Sequence, residues 1–113
     1  RGSVAATLCE WVTPDTDIII HQGSVPVRPD VAAACRLLGL DPLHIANEGI
    51  ILFAVPEKCA DSVLAALRNE EHGKDSAIIG EVREGRGTVS AVTDFGSKIR
   101  IRMPSGELLP RIC

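Results

Sequence analysis

Two residues carry chemistry that their positions could use. They are Cys113, the last residue, and Glu48, inside the turn-like tripeptide Asn47-Glu48-Gly49. A thiol on the final residue has nothing after it to pack against, so another active site can reach it. Its own α-carboxylate and Arg111 form a local charge pair around it. A free cysteine has a pKa near 8.5, so only a few per cent is thiolate at pH 7, yet it is strongly nucleophilic. The plainer reading is that chain ends fray and the cysteine is incidental, and the tail alone favours it. Glu48 is a carboxylate in a tight turn ahead of an apolar run. If the turn points into a cleft, burial raises its pKa toward the range of a general base. Taken alone, the tripeptide reads as a simple turn.

The other constellations are weaker. Cys9, Cys35, Cys59 and Cys113 lie far apart with no Cys-x-x-Cys pair, which argues against zinc, and three scattered histidines do not repair it. A domain of this size can build its own core without disulfides, so the cysteines read as those of a protein in a reducing cytoplasm. The Gly80–Gly87 stretch is the one candidate for a phosphate loop. It runs between strand-like segments and lacks the Lys-Ser/Thr ending, so it is rejected. His21 on a strand reads as a satisfied histidine, and His72 in a loop as solvated. Asp94-Phe95-Gly96 resembles a kinase loop in isolation, with nothing else of a kinase around it.

The elements that must position these residues follow from composition and period. The 113 residues suit one domain. Apolar residues make up 45% and aromatics only 3%, which describes an aliphatic core rather than a surface that stacks bases. Net charge is −3 with basic residues dispersed, so the footprint of a nucleic-acid binder is missing. Lys98-Ile99-Arg100-Ile101-Arg102 alternates like the wet face of a strand. The longest apolar run, Ile50-Ile51-Leu52-Phe53-Ala54-Val55, is too short to span a membrane, and no signal peptide is visible. No Met opens the chain, which reads as a piece of a longer protein. Arg1-Gly2-Ser3 fits either native sequence or a cloning scar.

Val4, Leu8, Trp11 and Val12 predict an amphipathic helix over residues 3–12, with Cys9 on its edge. Residues 17–21 read as a buried strand. A second helix starts at Pro29, carries the stripe Val31, Ala34, Cys35 and Leu38, and closes at Gly39. A helical turn follows Asp41-Pro42. Residues 50–55 then read as an apolar strand, and Pro56 hands over to a third helix with the stripe Ala60, Val63, Leu64 and Leu67 and Cys59 beside it. Three strand candidates follow, Ala77–Val82, Thr88–Thr93 and Lys98–Met103. Gly85-Arg86-Gly87 and Asp94-Phe95-Gly96 separate them at hairpin-like distances. This order predicts an α+β fold with helices packed on a mainly antiparallel sheet. Residues 1–103 form the domain and 104–113 a flexible tail ending in Cys113.

The stretch Leu40-Asp41-Pro42-Leu43-His44-Ile45-Ala46-Asn47-Glu48-Gly49 resembles the hallmark of the C-terminal domain of the aminoimidazole-ribotide-synthetase superfamily. Selenophosphate synthetase and thiamine-phosphate kinase share that motif. Pro26-Val27-Arg28-Pro29, Asp75-Ser76-Ala77-Ile78-Ile79-Gly80-Glu81-Val82 and the ending Pro110-Arg111-Ile112-Cys113 narrow the match. Together they resemble the HypE family, the carbamoyl dehydratases of nickel–iron hydrogenase maturation, over nearly the whole chain.

The resemblance implies a carrier thiol. In that family HypF loads a carbamoyl group onto the last cysteine, here Cys113, and ATP phosphorylates the amide oxygen. Loss of the amide protons and of phosphate leaves a thiocyanate. The cyano group then passes to iron held by HypC and HypD. Glu48 is the candidate base for the nitrogen protons. ATP binding and homodimer formation fall to an N-terminal domain missing from this chain, so the fragment alone is expected to be inactive. Two other readings stay open. The chain could belong to a superfamily member that phosphorylates a small substrate, or be a docking domain with no catalytic role.

Overall fold

A computed structural model describes residues 2–103 of the chain. Helix α1 (Val4–Trp11) starts where Ser3 caps it, the Ser3 Oγ accepting from the Ala6 N–H at 3.0 Å. Strand β1 (Thr16–His21) follows a tight Thr13–Thr16 turn. Helix α2 (Pro29–Leu38) has Pro in its first turn and ends on Gly39, whose φ of 68° is a left-handed cap. A 3-10 turn at Glu57–Cys59 leads into α3 (Ala60–Arg68), and β2 (Gly80–Glu84), β3 (Val89–Val92) and β4 (Lys98–Ile101) complete the order. The α+β class is as expected.

The four strands form one sheet in the order β2-β1-β3-β4. β1 runs antiparallel to β2, with Ile19 opposite Glu81, and parallel to β3, with Ile18 opposite Val89. β3 and β4 pair antiparallel, Ala91 opposite Ile99. Two of three ladders are antiparallel, so the sheet is mainly antiparallel as expected. The two successive hairpins expected among the last three strands are not both formed: β1 inserts between β2 and β3. Gly85-Arg86-Gly87 therefore makes no hairpin but carries the chain around the end of β1. Gly85 and Gly87 donate N–H bonds to the carbonyls of Asp15 and Thr16. Asp94-Phe95-Gly96 does close a hairpin, between β3 and β4, with Gly96 at φ 82°.

Val4, Ala5 and Leu8 of α1 lie on Ile18 and Ile20 of β1, Val89 and Ala91 of β3, and Ile101 of β4, with Leu43 closing the cluster. Ile20 is the most enclosed large side chain, 1% exposed. Cys35 is buried, as its place on α2 predicts. The rest of that α2 stripe is not: Val31, Ala34 and Leu38 are exposed, because no other described element covers that side of the helix. On α3 the predicted stripe is the less exposed face. The clearest departure is at residues 50–55, predicted as a buried strand. They form neither strand nor helix, and Ile50, Ile51, Phe53 and Val55 are exposed. A strand exists only where a partner offers a ladder, and none of the described segments does.

Asp17 holds the crossover in place. Its Oδ1 accepts from the N–H of Arg86 (2.9 Å), the N–H of Thr88 (2.9 Å) and the Thr88 hydroxyl (2.8 Å). Gly85 is required beside it, since a Cβ there would overlap the carboxylate. The backbone donors of Thr88 and Arg86, then the Thr88 hydroxyl, lower the Asp17 pKa to about 2.

Two consequences are measurable. The folded-state pKa of Asp17 lies below its unfolded value of about 3.9. Its stabilisation is therefore complete above pH 4 and is lost as pH falls through about 2. Asp17→Asn lowers Tm at neutral pH, and the gap to the parent closes in melts between about pH 4 and pH 2. Ile20→Ala destabilises by about 2–5 kcal/mol in denaturant titrations, the cost of a cavity under α1.

Candidate functional site

The segment that includes Glu48 is anchored at both ends. Asp41 Oδ1 accepts from the Leu43 N–H at 3.0 Å and starts a 3-10 turn, Pro42–His44, that drives Leu43 into the core. Asp41 Oδ2 lies 3.4 Å from His44 Nδ1. Downstream, the Asn47 N–H donates to the Gly2 carbonyl at 3.0 Å, and its side-chain amide to the Ile45 carbonyl at 3.3 Å. Gly49 turns the chain at φ 79°. These restraints put Glu48 on the crest of the turn, where it is exposed. The expectation that it points into a cleft is not met within the described residues. The groove beside it, about 210 Å³, runs between the turn and α1 and is lined by Gly2, Ser3, Thr7, Trp11, Asn47 and Ile51 among others, without Glu48.

Cys113, Arg111 and the rest of 104–113 lie outside the described residues. The three described cysteines are free thiols. Burial, and secondarily the Glu10 carboxylate, pushes the Cys9 thiol up, so it is a poorer source of thiolate than an open cysteine. Cys35 is enclosed, and Cys59 is half-buried at the start of α3. His21 is exposed at the end of β1, its backbone N–H bonded to the Ile79 carbonyl at 2.7 Å. His72 is exposed with Glu71 at 4.0 Å. On β4, Ile101 is buried while Lys98 and Arg100 are exposed, as the alternation predicts; Ile99 at the edge is exposed as well.

The Gly80–Gly87 stretch cannot cradle a phosphate in this arrangement. The N–H groups of Gly85, Arg86, Gly87 and Thr88, which an anion would need, are already given to Asp15, Asp17 and Thr16. Among the described residues no three His, Cys, Asp or Glu side chains are placed to hold a metal ion, and no helix is long and apolar enough to cross a membrane. Two features escaped the sequence reading. The Asp41–His44 pair could have been found from its i,i+3 spacing. The Asp17 anchor has no local signal, because its partners lie about seventy residues away.

A four-stranded sheet roofed by an N-terminal helix, with an Asn-Glu-Gly turn pinned to that helix, is a defined domain type. Residues 1–93 match the family described as AIR synthase related protein, C-terminal domain, and the chain belongs to that family. Within it, the chain is similar to proteins of one kind. It is 47% identical over 116 residues to the carbamoyl dehydratase HypE of Bradyrhizobium diazoefficiens and 43% identical to that of Escherichia coli K12. Each match covers all of this chain but only 33% and 34% of the relative, so the chain spans about a third of their length. The crystal structure of E. coli HypE superposes with a TM-score of 0.90 at 43% identity, covering 100% of this chain and 35% of that one. A HypE crystallised with ATP gives 0.88 at 39%, covering 100% and 36%. A HypE–HypF complex gives 0.82 at 35%, covering 92% and 34%.

The occupied loop yields a test. ATP added to the 113-residue chain is expected to leave the Arg86 and Thr88 amide resonances unmoved, because Asp17 holds those donors. Saturable shifts at both would show that the loop opens for phosphate.

Proposed function

We propose that this chain is the C-terminal, carrier-bearing part of an ATP-dependent carbamoyl dehydratase that makes the cyanide ligand for nickel–iron hydrogenase. The observation that carries this reading is the similarity to HypE proteins along the entire chain, at 47% identity in the first case. The ending Pro110-Arg111-Ile112-Cys113 adds a thiol where a carrier needs one.

The chemistry fits such a carrier. The Cys113 thiol gives up its proton, its sulfur attacks the carbonyl carbon of a carbamoyl donor, and the bond from that carbon to the donor breaks, so that the donor leaves and Cys113 becomes an S-carboxamide. Amide oxygen is a poor leaving group until phosphorylated, which is the purpose of ATP. Phosphorylation on oxygen with loss of one N–H proton gives an imidate phosphate. Loss of the second proton with departure of phosphate leaves S–C≡N. Glu48 is the proposed acceptor of a nitrogen proton. Since it is exposed in this domain, its base role requires the surroundings of the complete protein. Residues 104–113 are the proposed arm. Ten residues extend at most about 33 Å at about 3.3 Å each, enough to serve more than one site.

ATP binding belongs to polypeptide outside this chain, in keeping with the loop that Asp17 occupies and with a HypE structure that holds ATP and is nearly three times this length. The proposed donor is a HypF carbamoyltransferase, by analogy with the HypE–HypF complex. The proposed acceptors are HypC and HypD. Homodimerisation through the N-terminal domain and a cytoplasmic location complete the reading.

With full-length protein, HypF, carbamoyl phosphate and ATP, Cys113→Ala abolishes covalent mass gain on the C-terminal peptide; full modification of that variant refutes the assignment. Glu48→Gln retains carbamoylation but slows thiocyanate formation by about a hundredfold or more, the usual cost of losing a general base. An unchanged rate would leave Glu48 as a turn residue.

A further inference from the structure

A second groove, about 270 Å³, runs between the end of α1 and β4. Its apolar lining is Cys9 and Val12 on one side and Val89, Ile101 and Met103 on the other. Cys9 Sγ lies 4.0 Å from the Ile101 carbonyl oxygen, which ties the α1 wall to the β4 wall. Met103 is 52% exposed, so the groove is open just past the end of β4. Arg100 and Arg102 line it as well. Both are exposed, and neither has an ion-pair partner among the described residues. An apolar slot beside two such guanidinium groups favours an occupant that carries a carboxylate next to apolar side chains.

The chain itself supplies one. Beyond Met103 come Pro104-Ser105-Gly106, then Glu107-Leu108-Leu109, then Pro110-Arg111-Ile112-Cys113. Met103-Pro104-Ser105-Gly106 carries the residues of a type I turn, Pro in the second place and Gly in the fourth. Such a turn sends a chain back toward β4 rather than onward. Glu107 is the one acidic side chain in 104–113, and two leucines follow it directly. So short a loop costs little entropy to close and holds the segment at high local concentration beside the groove. A separate molecule has no such advantage, and a groove this small offers it too little area for a stable complex.

We infer that Glu107-Leu108-Leu109 dock in the groove between α1 and β4, the leucines against Cys9, Val12 and Met103 and the Glu107 carboxylate on Arg100 and Arg102. Pro110 ends the docked stretch, and Cys113 is left outside it. This builds on the proposed role of 104–113 as a carrier arm and sets its reach. Docked, only Pro110 to Cys113 are free to extend, about 13 Å at about 3.3 Å per residue; released, the arm recovers its about 33 Å. The thiol is presented at the surface while the leucines are seated, and it reaches a distant site only when they let go.

Cys9 reports whether the groove is filled. In the full-length protein, without nucleotide or partner, alkylation by iodoacetamide is followed at Cys9 by peptide mass spectrometry. Leu108→Asp with Leu109→Asp, and separately removal of residues 107–113, should each raise the Cys9 rate at least about fivefold. An unchanged rate in both would overturn the inference. Protection of Cys9 that grows with protein concentration would also overturn it, since a second copy would then be the occupant. Glu107→Arg should raise the rate, and adding Arg100→Glu and Arg102→Glu should lower it again; no such rescue would count against the docking. Cys35, 4% exposed, reports unfolding, and a rise there to match Cys9 would mean that the whole domain had opened and would count against the groove. Because the readout is not catalytic, a docked tail whose Cys113 never takes up a carbamoyl group would sink the proposed function and leave the groove standing.

Discussion

Strand β1 must be paired on both edges by segments that arrive sixty or more residues later, and the domain depends on that closure. Ile18 and Ile20 face α1 from the centre of the sheet, and their burial is complete only when β2 and β3 lie on either side. Asp17 makes the geometry self-consistent. It collects the donors of the Gly85–Thr88 crossover, so the same carboxylate that ends one loop fixes where β3 begins. A residue there without a side-chain acceptor takes the partner from the Arg86 and Thr88 N–H groups at the place where the chain passes from one side of β1 to the other.

That closure also explains what could be read from the residues and what could not. Helix α1, the Pro29 start and Gly39 stop of α2, and the β3–β4 turn are written locally, in caps and turn residues that act on near neighbours. The sheet order is not. Gly85-Arg86-Gly87 has the composition of a hairpin turn, and only the distant Asp17 shows that it is a crossover. The exposed stripe of α2 and the run at 50–55 were legible as apolar surface that must be covered, but the identity of the cover is not encoded in the segment itself. For the site, Glu48 is legible as a turn residue with chemical potential; Leu43 and Asn47 draw the chain just before it inward, and Glu48 itself is exposed.

The division of labour that results has a physical logic. A loop whose amides are spent on Asp15, Thr16 and Asp17 has none to offer a phosphate. This domain therefore supplies groups without the environment that would activate them.

The same logic bears on the three described cysteines, none of which is placed to act as a travelling carrier. Cys35 is enclosed, Cys9 is held toward its protonated form by burial, and Cys59 is tied into the start of a helix. None could visit a donor, a phosphorylating site and an acceptor in turn without unfolding the element that holds it.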